Sequence, residues 1–232
     1  MEHETSTSPA LISSSGGKDS CLALHRARRA GLDVRVMLSM FDPERDGNRS
    51  HGVPLALLSA QADALGLELI TPRASWTDYE ESFVAQLAAL RARGFRTAVF
   101  GDIDLQAHRD WEEKVCARAG LAAVLPLWQE SRAALVQEVL AAGFRALVVC
   151  TDSRFLGDEF CGRPFDAAFV ASLPPGVDAC GENGEFHTFV HDGPGFRRPV
   201  PVELLAREPV VTPAETGARR YCFARLGCSR AS

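Results

Sequence analysis

The stretch Ala10-Leu11-Ile12-Ser13-Ser14-Ser15-Gly16-Gly17-Lys18-Asp19-Ser20 reads as a short apolar strand, a glycine turn and the opening of a helix. The helix is marked by Cys21, Leu22, Leu24 and Ala27, which recur at about helical spacing. Such a junction attracts anions, because the first helical amides lack partners within the helix and the peptide dipoles place partial positive charge there. Gly16 and Gly17 carry no β-carbon, so a phosphate can approach the main chain. Lys18 adds a cation read as mobile, and Ser15 and Ser20 add hydroxyls. A Walker-type loop is excluded. It needs glycine where Ile12 stands and Ser or Thr directly after the lysine, where this chain has Asp19.

Outward from that loop, strand-like and helix-like segments alternate. Val34 to Met40, Leu67 to Thr71, Thr97 to Phe100, Ala122 to Leu125 and Arg145 to Cys150 read as strands. Pro54 to Leu65, Tyr79 to Arg91, Trp111 to Ala119 and Arg132 to Ala142 read as helices. Gly31, Gly66, Gly94, Gly120 and Gly143 stand where the helices should stop. The expected fold is α/β: a Rossmann-like parallel sheet with helices on both faces, whose ligand sits at the carboxyl ends of the strands. Beyond about Thr151 the rhythm fails and glycine, proline and aromatic residues accumulate, so residues 1–150 are expected as a nucleotide-binding domain and 151–232 as a smaller mixed lobe. Phe186 to His191 and Tyr221 to Leu226 are its expected strands.

The chain has 232 residues, a formal net charge of −5, 46% hydrophobic and 24% charged residues, an ordinary soluble balance that offers no broad nucleic-acid footprint. No apolar run reaches the ~20 residues a membrane span needs, and Met1 to Thr5 lack the cationic and apolar parts of a signal peptide. Seven cysteines without a C-x-x-C pair fit a reducing compartment, so a cytoplasmic location is expected. Of 25 basic residues only Lys18 and Lys114 are lysines, which singles out Lys18 as chosen for its position.

Three further groups carry candidate chemistry. Asp178 to Phe189 packs acids, a thiol, a histidine and glycines together. Glu182 and Glu185 can orient ammonia or an amine, hold magnesium or act as base, and His187 can shuttle a proton. Cys180 reads as a nucleophile or a small buried hydrophobe. After the strand at Thr97 to Phe100, Gly101, Asp102 and Asp104 precede His108-Arg109-Asp110-Trp111-Glu112. Asp102 or Asp104 can bind magnesium and Arg109 can contact phosphate, or the segment is a helix start capped near Asp110. Arg45 to Pro54, which includes His51, reads as a polar loop over a nucleotide or a solvated one. Pro126-Leu127-Trp128 reads as a ring-stacking element or as core.

Taken together, SSGGKDS, RSHGV, GDI with HRDWEE, PLW and CGENGEFHTFVHDGPGF resemble the diphthine–ammonia ligase family of ATP pyrophosphatases, over roughly residues 10 to 200. The first string is shared by many ATP pyrophosphatases; GENGEFHTF and DGP point to this family. The resemblance implies a domain of adenine nucleotide α-hydrolase type and ATP-driven amidation of a carboxylate. An acyl-adenylate forms, pyrophosphate leaves and ammonia displaces AMP. It implies ATP and Mg2+ as cofactors, with ammonia and an unidentified carboxylate, protein-bound or small, as partners, and it leaves room for a homo-oligomer. Implied nucleotide contacts are Ser15, Gly16, Gly17, Lys18, Asp19, Ser20, Ser39, His51, Gly101 and Asp102, with metal at Asp19 and Asp102. Implied catalytic residues are Lys18, Asp19, Glu182, Glu185 and His187. A tRNA-modifying pyrophosphatase and a nucleotide sensor without turnover are the competing readings.

Overall fold

The computed structural model describes residues 8–42, 47–48, 51–212 and 218–228. The elements of the first half are β1 (Ala10–Ser13), α1 (Lys18–Arg29), β2 (Val34–Leu38), α2 (Leu55–Leu65), β3 (Glu68–Ile70), α3 (Tyr79–Ala92), β4 (Thr97–Val99), α4 (Gln106–Ala119) and β5 (Ala122–Val124). The strands form a parallel sheet in the order β3-β2-β1-β4-β5. The chain leaves β1 toward β2 and later returns to β4 on its other side, so the crevice at the switch point lies over the carboxyl end of β1. Strand alternation feeds two cores. Ala10 and Ile12 point toward α1 and α2, whereas Leu11, Val36, Leu38 and Ala98 point toward α3 and α4. The expected parallel sheet with helices on both faces is what forms. The five glycines read as helix stops all have positive φ, and Gly66 and Gly120 cap α2 and α4 in the left-handed conformation.

The second half contains α5 (Arg132–Ala141), β6 (Arg145–Asp152), α6 (Ala167–Ala171), β7 (Phe186–Asp192), β8 (Val202–Val211) and β9 (Arg220–Cys228). These strands make an antiparallel sheet in the order β7-β6-β9-β8. β6 therefore does not extend the parallel sheet as its position after a helix suggests. An apolar run has the same periodicity in either sheet, and only its partners β7 and β9 decide which it joins. Strand β8 has no counterpart among the expected elements because Pro209 and its charged residues mask it; as an edge strand it tolerates proline. Helix α4 starts before Trp111, and Asp110 lies inside it, accepting from Gln106 Nε2 at 2.7 Å rather than capping the first turn. Among the described residues no helix is long and apolar enough to cross a membrane.

Candidate active site

The turn between β1 and α1 is held from three directions. Val190 of β7 donates its main-chain N–H to the Gly16 carbonyl at 2.9 Å. Gln61 of α2 donates to the same carbonyl at 3.0 Å and to the Val190 carbonyl at 2.6 Å. Asn48 donates to the Ser15 carbonyl at 2.6 Å. Gly16 sits at φ +82°, and a β-carbon there would lie 2.9 Å from both Gln61 Oε1 and Leu58 Cδ1. Glycine is therefore required at this position by conformation and by space. Hydroxyls satisfy the amides that open the helix: Ser14 Oγ accepts from Gly16 at 3.0 Å, Ser15 Oγ from Gly17 at 3.4 Å, and Thr188 Oγ1 of β7 from Lys18 at 3.0 Å. These oxygens show that the amides converge on acceptors, the chemistry a phosphate offers in greater strength.

Lys18 is almost fully buried, which corrects its reading as a mobile cation. Its Nζ donates to Asp19 Oδ2 at 2.7 Å and to the Cys180 carbonyl at 2.5 Å. Burial works against the ammonium, but Asp19, Cys180 and Glu182 outweigh it and hold the lysine above its ordinary range. Ligand atoms of Asp19, Cys180 and Glu182 all lie within 4.8 Å of one another. Burial, then the Asp19 charge, pushes the Glu182 carboxyl up to about 7. Burial pushes the Cys180 thiol up to about 12, so it is no thiolate nucleophile.

Above the loop the rings of His51 and His187 lie 4.4 Å apart, tilted by 38°, with His51 Nε2 3.0 Å from where a Gly17 β-carbon would stand. Burial, with Lys18 as second cause, lowers His187 to about 4, and burial with His187 and Lys18 lowers His51 well below its usual range. Both imidazoles are neutral near pH 7. On the other side of the loop, a β-carbon on Gly101 would lie 2.9 Å from the Ser20 amide, so glycine at the end of β4 lets α1 begin there. Asp102 Oδ1 lies 2.6 Å from His108 Nδ1. Burial opposes the Asp102 charge, but hydrogen bonds from His108 and Glu112 hold its carboxyl below the usual range. Burial, then the bond to Asp102, pushes Glu112 up to about 10, so Glu112 keeps its proton. Lys18, Asp19, His51, Asp102, His108, Glu112, Cys180, Glu182 and His187 line one cavity of about 810 Å³, walled on a third side by Trp76, Tyr79 and Trp111.

Residues 8–123 match the diphthamide synthase N-terminal domain and residues 131–214 the diphthamide synthase C-terminal domain, the two segments that together enclose this cavity. The chain belongs to the diphthamide synthase family. It is similar to a human protein named diphthine–ammonia ligase, 26% identical over 84% of this chain and 82% of that one. A zebrafish protein of the same name is 28% identical over 85% and 86%. A solved structure titled as a predicted subunit of tRNA methyltransferase from Methanocaldococcus jannaschii aligns with a TM-score of 0.43 and 14% identity, over 79% of this chain and 96% of that one.

In this member of the diphthamide synthase family, Ser15, Lys18, Asp19, Ser20, Ser39, His51, Gly101, Asp102, Glu182 and His187 all line the cavity, whereas Gly16 and Gly17 do not. The Ser20 hydroxyl turns inward, donating to the Gly17 carbonyl at 3.0 Å. Glu185 does not join them. It is 1% exposed, and its oxygens accept from the main chain of Asp178 and from both nitrogens of Asn183. Asp102 stands outside the Asp19–Cys180–Glu182 group, engaged by its own histidine and protonated glutamate. Arg109 lies over Trp128 at 5.0 Å rather than in the cavity. Arg45, Asp46, Arg49 and Ser50 of the polar loop, like Met1 to Thr5, lie outside the described residues. Sequence reasoning placed Asn48 and Glu112 inside candidate segments without giving either a role, and it assigned none to Gln61 or Thr188. Thr188 stood in the quoted family string, and the apolar spacing of α2 leaves Gln61 as a polar residue on its buried face, the one signal that marked it.

Proposed function

We propose that this chain is an ATP-dependent amide-forming ligase of diphthine–ammonia ligase type, acting on ATP, ammonia and a diphthine-like carboxylate. The carrying observation is the convergence of the loop amides, Lys18, Asp19 and Glu182 in a cavity built by both family domains. A carboxylate oxygen attacks the α-phosphorus and the bond to the bridging oxygen breaks, releasing pyrophosphate. The ammonia nitrogen then attacks the acyl carbon and sheds a proton, and AMP leaves with the electron pair of the C–O bond. The amides of Gly16, Gly17 and Lys18 exchange their hydroxyl acceptors for oxygens of the departing pyrophosphate, and buried Lys18 adds a fixed positive charge beside them. The neutral rings of His51 and His187 offer hydrogen bonds over the same loop without adding charge.

Magnesium fits the Asp19–Glu182 pair. Two carboxyls lying within 4.8 Å of each other, one pushed up by burial and then by the charge of the other, are relieved by a hard dication that also takes phosphate oxygens. The Cys180 thiol is too soft to serve and Asp102 stands outside the group, so Asp19, through the oxygen that Lys18 leaves free, and Glu182 would hold the ion. Bound there, it would screen the phosphate charge. Free, mostly buried thiols favour a reducing, cytoplasmic setting.

The test is product analysis with ATP, magnesium, ammonium and a diphthine-bearing protein, for the wild type and Asp19→Ala. AMP and pyrophosphate that depend on the acceptor and on Asp19 are expected. ADP with phosphate would overturn the pyrophosphatase reading, and ATP binding without turnover would replace it with a sensor.

A further inference from the structure

Arg132, the first residue of α5, lies outside the cavity and touches none of the groups assigned above, yet it joins the segments that carry them. Its Nε and Nη2 donate to the two oxygens of Asp104 at 2.6 and 2.9 Å. Its Nη1 donates to Asp178 Oδ2 at 2.7 Å and to Asn183 Oδ1 at 3.2 Å. Asp104 belongs to the segment that follows β4; Asp178 and Asn183 belong to the loop before β7. The Asp178 carboxylate is itself an organiser, accepting the main-chain N–H of Cys180 at 2.9 Å and of Glu182 at 3.3 Å. The Cys180 carbonyl in turn receives Lys18 Nζ. One guanidinium thus fixes the carboxylate around which the loop turns, and that loop presents Glu182 and a lysine acceptor to the cavity.

We propose that Arg132 is a positioning residue, whose fork fastens the 178–184 loop to the end of β4 and so sets Glu182 and the Cys180 carbonyl against Asp19 and Lys18. Glu185 packs the same loop from beneath; Arg132 ties it from the rim. The geometry needs a planar fork with donors on two edges, so an ammonium in its place can hold one carboxylate or the other. The inference rests on the ligase reading for its effect on turnover, but the effect on the loop is independent of it.

The experiment uses the full chain as wild type, Arg132→Ala and Arg132→Lys, assayed for AMP formation with ATP, magnesium, ammonium and a diphthine-bearing protein. Hydrogen–deuterium exchange of residues 178–184 is followed in parallel. Arg132→Ala is expected to lower kcat about 100-fold, the scale set by small misplacements of reacting groups, with KM for ATP within twofold. Millimolar guanidinium should restore kcat and slow the accelerated loop exchange; Arg132→Lys should restore neither. Should Arg132→Ala fail to fold, Asp104→Asn loosens one side of the fork and is expected to speed loop exchange. Unchanged kcat with unchanged loop exchange would overturn the inference, as would a loss of kcat that guanidinium leaves untouched. A wild type that makes no AMP defeats the ligase reading instead, and loop exchange still decides the role of Arg132.

Discussion

The Glu185 carboxylate accepts the main-chain N–H of Asp178 at 3.1 Å, closing the loop that presents Glu182 from the inside. Two acids three positions apart therefore have separate tasks. Glu185→Ala should leave the part-buried amides of Asp178 and Asn183 without their acceptor and cost about 1–2 kcal/mol of stability, whereas Glu182→Gln should keep the melting temperature and lose AMP formation. Thermal unfolding beside the AMP assay separates them, and equal melting temperatures would refute the division.

Thr188→Val keeps the shape of the side chain but removes the acceptor of the Lys18 amide. A cost of about 1–3 kcal/mol in the absence of nucleotide is expected from a buried donor left unpaired. Because phosphate oxygens can take over that amide, ATP should raise the melting temperature of the variant more than that of the wild type. Equal increments would count against phosphate contact at Lys18 N.

Gly16→Ala places a methyl group at a positive φ and against Gln61 and Leu58. Strain and overpacking together predict a loss of about 3 kcal/mol or more, visible as a lowered denaturant midpoint. Ala at Gly184, where a β-carbon meets no atom within 4 Å, carries the backbone strain alone and should cost less.

Glu112 is 3% exposed with its carboxyl raised to about 10. A group raised in the folded state contributes stability below its unfolded value, near 4.5, and loses it progressively as pH climbs to about 10. Wild-type stability minus that of Glu112→Gln should therefore fall between pH 5 and 9, by on the order of 1 kcal/mol per unit. Urea unfolding across that range gives the slope; a flat difference would mean that Glu112 is ionised.

Local signals revealed the parallel half of the fold and the loop after β1. A glycine turn between an apolar strand and a helix needs no distant partner to be recognised, and Gly31 to Gly143 stop their helices by backbone conformation alone. What stayed hidden depends on pairing. Nothing in Arg145 to Cys150 tells which sheet it enters, and Glu185 looks like Glu182 until the fold turns one inward and the other outward. Arg132 reads as one of many arginines, because its meaning lies in Asp104 and Asp178, dozens of residues to either side.

The docking of β7 on the loop after β1 also orders events during synthesis. The ribosome makes Gly16 and Lys18 first, whereas Thr188, which holds Lys18, follows it 170 residues later, and Val190 follows Thr188. A nascent chain released before β7 lacks the clasp of its own nucleotide cradle, so ATP cannot reward a fragment. Competence to bind arrives only when β7 lies down on the turn made long before it.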